Sequence, residues 1–192
     1  MASNSLNEWN RSRAKTLDEI ASAHALVGGT APGRRYATLQ INYAYTMLLS
    51  SQFQGYCRDL HSESIDHLAR CVMPIALQTV LRAEFTLHRK LDRGNPSPAS
   101  IGSDFNRLGL SFWDEVKAAG KRNLGRMASL EELNNWRNAI AHHDFDPGRT
   151  GSTIPLGLAT VKKWREACNQ LSKVFDEVLK KHLDQITGNQ PW

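Results

Sequence analysis

An arginine and a nearby histidine offer the clearest chemistry in this chain. Arg137 is followed by Asn138, and His142 comes four residues further on. The guanidinium group is always charged and offers a planar fork of donors that matches phosphate oxygens. Histidine side chains in general titrate near neutrality, so an imidazole can take or give a proton. Such a pair suits metal-free RNA cleavage, in which the ribose 2′-hydroxyl loses a proton and the leaving 5′ oxygen gains one.

The helix that must carry these residues is predicted from its cap and its apolar spacing. Ser129 followed by Glu132 is a capping box and predicts a helix start. The segment 146–148, Asp-Pro-Gly, predicts its end. The predicted apolar face holds Leu130, Leu133, Trp136, Ile140 and Ala141, and the other side holds Asn134, Asn135, Asn138 and His142.

A regular helix does not put the arginine and the histidine on one face. At 100° per residue, Arg137 and His142 lie about 140° apart around the axis. Asn138 and His142 are four residues apart and share a face. Two arrangements can complete the site: the helix frays at His142 and the arginine bends round, or a second copy of the chain supplies the missing group. The second arrangement predicts a symmetric dimer.

The asparagine after the arginine, the breaker after the histidine and the helical background together resemble the HEPN superfamily of nucleotide-binding domains. The motif is similar to the Arg-Asn-x3-His signature of that superfamily. The resemblance implies that Arg137, Asn138 and His142 are the active-site residues of a metal-independent endoribonuclease. Such an enzyme acts as a homodimer, needs no cofactor and leaves a 2′,3′-cyclic phosphate. Some HEPN toxins carry a tyrosine two positions after the histidine, where this chain has Asp144.

The resemblance also implies a biological setting. HEPN proteins commonly act as toxins or in antiviral defence, so RNA is the expected substrate, and a cognate antitoxin or regulatory protein is an expected partner.

The rest of the chain predicts an all-α fold, a single HEPN-like domain over residues 1–192 built from about four to six helices. This length is sufficient to bury a substantial core. Besides the motif helix, predicted helices cover residues 5–27, 36–71, 74–91, 103–118 and 160–186. Long loops are predicted near residues 28–35, 92–103 and 145–158.

Further candidate residues lie outside the motif. HEPN proteins often direct polar residues of the long central helix toward the active site, although a solvated face explains the same pattern equally well. The basic linker before the motif helix is a candidate for contacts with RNA phosphates, with a solvated loop as the alternative. The candidates are His143, Arg58, Asp59, Glu63 and His61 near the active site, and Lys121, Arg122 and Arg126 for RNA binding.

Two other functions compete with the ribonuclease hypothesis. The first is a non-catalytic HEPN module that binds nucleotide or protein. A purely structural role of the motif also stays open, in which Arg137 pairs with an acidic residue of another helix and His142 is a cation favoured at a helix C-terminus.

The second competitor is a metal-dependent phosphohydrolase of the HD type, since His143 and Asp144 form the dyad of those helical enzymes. These enzymes also need an upstream histidine and a later aspartate. The candidates for those positions are His61, His67, Asp176 and Asp184.

Composition and charge indicate the kind of partner and the cellular location to expect. A net charge of +5 suits an anionic partner without requiring one. Cys57, Cys71 and Cys168 are far apart and lack metal-binding spacing, which favours a reducing, cytoplasmic location. No apolar run is long enough to span a bilayer, so no membrane association is expected.

Overall fold

The computed structural model describes residues 1–28, 35–72, 74–151 and 155–192, and all regular structure in these ranges is helical. The predicted all-α class is confirmed. None of the helices in these ranges has the length and apolarity needed to cross a membrane. The elements are α1 (Asn4–Glu8), a π-helical turn (Trp9–Arg13), α2 (Ala14–Gly28), α3 (Arg35–Val72), α4 (Ile75–Thr86), a 3-10 turn (Lys90–Asp92), α5 (Pro98–Asn106), α6 (Phe112–Ala118), α7 (Asn123–His142), α8 (Pro147–Thr150) and α9 (Leu158–Thr187).

Two long helices, α3 and α9, form the centre of the bundle, and both match the predicted ranges closely. Periodic apolar residues bury one face of each, because a stripe at three-and-four spacing must be covered by another element. Tyr56 of α3 is fully buried and donates a hydrogen bond from its hydroxyl to the carbonyl oxygen of Ser172 in α9, at 2.6 Å. α9 ends at Gly188, whose φ of 68° suits a glycine that closes a helix.

Aromatic rings join the short helices α5 and α6 to this centre. The ring of Phe105 stacks on Phe112 with centroids 4.6 Å apart, and Phe112 meets Phe175 edge-on at 4.8 Å. All three side chains are fully buried. Rings of this size bury large apolar areas, so they anchor both short helices against α9.

The helix preceding the motif differs from its prediction. The loop expected over residues 92–103 gives way at Pro98 to α5, whose N-cap Ser97 accepts a hydrogen bond from the Ser100 amide at 3.1 Å. Proline suits the first turn of a helix, where its missing N–H is not needed. The single helix predicted over residues 103–118 is therefore wrong, because α5 and α6 are separated near Gly109, which has a φ of 89°.

The motif helix begins at Asn123, six residues before the predicted start. The capping box is wrong: Ser129 is buried within α7, and Glu132 accepts hydrogen bonds from Lys163 and from the indole of Trp164 in α9. The local sequence predicts a helix cap at Ser129, but in the fold Glu132 binds side chains of α9 instead of capping α7.

The remaining boundaries differ less. The first helix, predicted over residues 5–27, contains a π-helical turn between α1 and α2, and the helix predicted over residues 74–91 ends at Thr86. The irregular segment predicted over residues 145–158 contains the short helix α8, with Asp146 as its N-cap. Residues 29–34 of the predicted loop near 28–35 lie outside the described residues.

A buried carboxylate fixes the segment that leads to the motif helix. Asp104 of α5 is only 1% exposed and accepts hydrogen bonds from the backbone amides of Lys90 and Leu91, at 2.9 and 2.8 Å. The side chain of Gln54 in α3 donates to the carbonyl oxygens of Leu91 and Gly94. Together these contacts hold the loop 93–97 in place between α3 and α5.

Replacing Asp104 should destabilise the fold. Asp104→Asn removes the charge and one acceptor, leaving a buried amide unpaired, so we expect a loss of about 2–3 kcal/mol in the free energy of unfolding, measured in urea. Asp114→Asn is the control, because Asp114 forms an exposed ion pair with Lys117 and should change stability by under about 0.5 kcal/mol. Equal effects of the two changes would contradict the structural role of Asp104.

Burial of His61 should make the fold sensitive to acid. Desolvation, reinforced by the nearby Arg89 cation, lowers the pKa of His61 from 6.5 to about 4. As the pH falls, the unfolded chain therefore takes up the proton first. This contribution to stability is complete above pH 6.5 and is lost progressively toward pH 4, by about 2–3 kcal/mol in total.

His61→Gln should remove that pH dependence, measured as urea midpoints between pH 7 and pH 4. His24→Gln, at a partly exposed position of α2, should keep the wild-type dependence. A parallel pH profile for wild type and His61→Gln would show that His61 does not carry the effect.

Candidate active site

The helix that carries the motif remains regular through His142. It closes in a Schellman-type turn, in which the amide of Asp144 donates to the carbonyl oxygen of Ala139 at 2.9 Å. His143 occupies the left-handed position of this turn, with a φ of 53°, where glycine is the usual residue. The frayed arrangement that would let Arg137 and His142 meet within one chain is therefore not present.

Asn138 and His142 lie together, as their spacing predicts. Both line a cavity of about 300 Å³ at the C-terminal end of α7. Arg137 is not among the residues that line this cavity; its Nη1 donates to Asn138 Oδ1 at 3.4 Å. The structure thus places Asn138 in one cavity with His142 and in contact with Arg137, while Arg137 itself lies outside the cavity. The cavity is lined by Asn135, Asn138, Ala139, His142, Asp144, Gly148 and Arg149.

The amide of Asn138 is oriented by two donors. Asn95, in the loop 93–97, donates from its Nδ2 to Asn138 Oδ1, the same atom that accepts from Arg137. With Oδ1 engaged in this way, Nδ2 of Asn138 is the group that can donate to a ligand. Asn95 was missed in the sequence because only the fold brings the loop 93–97 against α7.

The buried side-chain amide of Asn134 in α7 also holds the loop 93–97. Asn134 was predicted on the polar side of the helix, but it is 2% exposed and donates to the carbonyl oxygens of Pro96 and Leu130, at 3.0 and 2.8 Å. Ala141, predicted on the apolar face, is exposed, and Ala139 is buried instead. The buried face of α7 is therefore shifted from its predicted position, since it includes Asn134 and Ala139 and leaves Ala141 exposed.

The polar residues of α3 have partners that join α3 to other elements. Glu63 accepts hydrogen bonds from the backbone amides of Asn4 and Ser5, so it caps α1. The four candidate residues of α3 do not line the cavity beside His142. They are Arg58, Asp59, His61 and Glu63. Arg58 pairs with Asp92 at 2.9 Å, Asp59 pairs with Arg13 at 2.6 Å, and Nε2 of His61 lies 3.2 Å from the carbonyl oxygen of Asp104.

The basic linker lies at the other end of the motif helix. Lys121 and Arg122 are exposed just before α7, and Arg126 is in its first turn, bonded to Asn123 at 2.7 Å. At 1.5 Å per residue, the start of α7 is about 28 Å from His142 along the axis. These cations can reach only a part of an RNA that lies far from the histidine of the same chain.

His143 turns away from the cavity toward an aromatic cluster. Its ring meets Phe145 edge-on at 5.4 Å, and Phe145 stacks on Tyr43 of α3 at 5.3 Å. Burial raises the pKa of Tyr43. The cluster positions the turn that follows His142.

The residues named for the HD-type metal site are not assembled. His61 and Asp176 bind other partners: Asp176 accepts from the Ser3 amide and from the indole of Trp192. His67 lies 3.1 Å from the hydroxyl of Thr187. Within the described ranges, no group of three or more His, Cys, Asp or Glu side chains is arranged to hold a metal ion.

Arg149 is a second residue of the site that was not predicted from the sequence. It comes from α8, lines the cavity beside His142 and pairs with Asp144 at 2.6 Å. The sequence does contain a signal for α8, because Asp146 before Pro147 is a pattern typical of a helix start. That short helix turns the chain back and places Arg149 beside the motif.

Comparison with known proteins decides the family. The model of the RiboL-PSP-HEPN family matches residues 76–181, more than half of the chain. The chain belongs to this HEPN family. The match extends from α4 into α9 and includes Arg137, Asn138 and His142 as well as the cavity, so the predicted HEPN resemblance is confirmed. No curated protein and no solved structure matches this HEPN chain. Membership supports a ribonuclease or a nucleotide-related module.

Neighbouring asparagines of the HEPN motif helix should respond differently to truncation. Asn134→Ala should lower the free energy of unfolding by about 1–3 kcal/mol, because two carbonyl groups lose their shared buried donor. Asn135→Ala, at the partly exposed next position, should cost under about 0.5 kcal/mol. Urea denaturation of both variants is the measurement. A larger loss for Asn135→Ala would contradict the role of Asn134 in holding the loop 93–97.

Proposed function

We propose that this HEPN protein is a metal-independent endoribonuclease that acts as a homodimer. The observation that carries the proposal is the cavity in which His142 and Asn138 lie side by side, with Arg137 at its border through Asn138. These groups supply proton transfer, a hydrogen-bond donor and a phosphate-binding cation.

The reaction needs only groups of this kind. The ribose 2′-oxygen attacks the adjacent phosphorus as its proton passes to a base, and the bond from phosphorus to the 5′ oxygen breaks as that oxygen takes a proton from an acid. The products are a 2′,3′-cyclic phosphate and a 5′-hydroxyl. In this scheme His142 transfers protons, Arg137 stabilises the charge that grows on the phosphate, and Asn138 orients the RNA or the imidazole.

A second chain completes the site in this proposal. Arg137 lies outside the cavity that its own His142 lines, so in this proposal the Arg137 of a second chain supplies the phosphate-binding cation there. A symmetric dimer with α7 of each chain at the interface meets this need. We also propose that the activity belongs to a toxin–antitoxin or antiviral system, with an antitoxin or regulatory protein as partner; the HEPN resemblance is the support for this setting.

Cleavage of a mixed RNA panel in EDTA tests the activity. Wild type should cut and leave cyclic phosphate ends, whereas His142→Ala should lose about 10²–10⁴-fold in rate through the missing proton transfer. Arg137→Ala should lose a comparable factor. Arg82→Ala is the matched control, because Arg82 is a partly exposed, ion-paired arginine of α4.

The outcomes separate the alternatives. Equal inertness of all proteins would favour a HEPN module that binds nucleotide or protein without cleavage. Activity that appears only with a divalent metal would instead revive the dyad of His143 and Asp144.

Mixing the two inactive variants tests the shared site. If Arg137 of one chain serves the cavity of the other, exchange of Arg137→Ala with His142→Ala should restore about a quarter of wild-type activity, since half of the dimers are mixed and each mixed dimer keeps one intact site. If both residues act within one chain, the mixture should stay as inactive as its components.

A further inference from the structure

The cavity beside His142 contains a cation that the Arg-Asn-x3-His motif does not supply. Arg149 lines it, whereas Arg137 does not. The side chain of Arg149 is 71% exposed, so it can meet a ligand without any rearrangement of the core. A phosphate bound in this cavity would therefore find its charged partner in α8.

The contact with Asp144 orients this guanidinium. Nη1 of Arg149 donates to Oδ2 of Asp144 at 2.6 Å. An arginine has five N–H donors in a rigid fork, so four remain for a ligand. Asp144 is itself held by the turn that ends α7, through its amide and the carbonyl of Ala139. The head group of Arg149 is thus tied to the same turn that positions His142.

The other groups in the cavity suit a phosphate with its sugar. Asn135 and Asn138 line it with amide side chains, and Nδ2 of Asn138 is available to donate. A volume of about 300 Å³ is at the lower end of the range for ligand pockets. That space suits a phosphodiester group and a neighbouring ribose rather than a folded RNA.

Asp144 also sets the balance of charge. Its carboxylate pairs with Arg149 and opposes an incoming anion. A neutral acceptor at this position would still orient Nη1 and would not repel phosphate.

We propose that this cavity is the phosphate subsite of the protein, in which Arg149, oriented by Asp144, holds a phosphate of the RNA against His142 of the same chain. The assignment rests on the proposed ribonuclease function and adds a phosphate-binding residue to it. Arg137 then acts from outside this cavity.

Titration with inorganic phosphate, followed by NMR of the histidine rings, tests the subsite without RNA cleavage. The His142 signal is identified by its loss in His142→Gln, and chloride at matched ionic strength gives the baseline. Phosphate should shift the His142 signal in wild type and in Arg82→Ala. In Arg149→Ala the midpoint should rise at least about tenfold, since a charged hydrogen-bond donor is lost.

Three further variants separate geometry from charge. Arg149→Lys should retain only part of the affinity, because an ammonium lacks the planar fork. Asp144→Asn should bind phosphate about two- to fivefold more tightly, because it removes a carboxylate that repels the anion and keeps an acceptor for Nη1 of Arg149. Arg149→Gln provides a second neutral variant with a longer side chain than alanine.

An unshifted His142 signal in wild type, or equal midpoints in wild type and both neutral variants, would overturn the subsite. Failure of the ribonuclease proposal looks different: the protein would bind phosphate through Arg149 and yet leave every RNA intact. The converse result, cleavage that does not depend on Arg149, would retain the nuclease and remove the subsite.

Discussion

The burial of one face of α7 against α9 determines what the candidate site contains. Trp136 lies on that face, its ring 6.5 Å from Trp164, and Trp164 donates from its indole to Glu132. A helix fixed in this way cannot rotate without exposing these large side chains. Arg137 and His142 are consequently held about 140° apart, and the chemistry of the motif must be assembled from groups that other elements bring.

Two such elements meet the free side of α7. The loop 93–97, held by Asp104, Gln54 and Asn134, delivers Asn95 to the Asn138 amide. The short helix α8 returns Arg149 to the cavity beside His142. A rigid scaffold with functional side chains on short connecting segments is a common arrangement for binding sites. Here the loop orients a donor and α8 supplies a charge.

The groups of the proposed reaction are divided between the inside and the outside of one cavity. His142, Asn138 and Arg149 line it, whereas Arg137 touches it only through Asn138. The proposed ribonuclease would hold its substrate phosphate from one chain and complete charge stabilisation from another. Under that proposal, an Arg and a His on different faces of one helix would act at one phosphate.

The sequence by itself determined the all-helical class, the ranges of α3 and α9, and the motif with its HEPN membership. These features follow from apolar spacing and from a compact motif, which are local properties of the chain. The shared face of Asn138 and His142 also followed, since four-residue spacing in a helix requires it.

Only the tertiary structure decided which polar groups are buried and which meet. From the sequence alone, Asn134 is predicted at the surface, but in the fold it donates a hydrogen bond to the carbonyl oxygen of Pro96. Ser129 and Glu132 are predicted as a helix cap, but in the fold Glu132 accepts a hydrogen bond from Trp164 of α9. Arg149 joins His142 only because α8 turns the chain back. Each of these outcomes depends on contacts between residues distant in sequence or on the path of a turn, and local propensity carries no information about such partners.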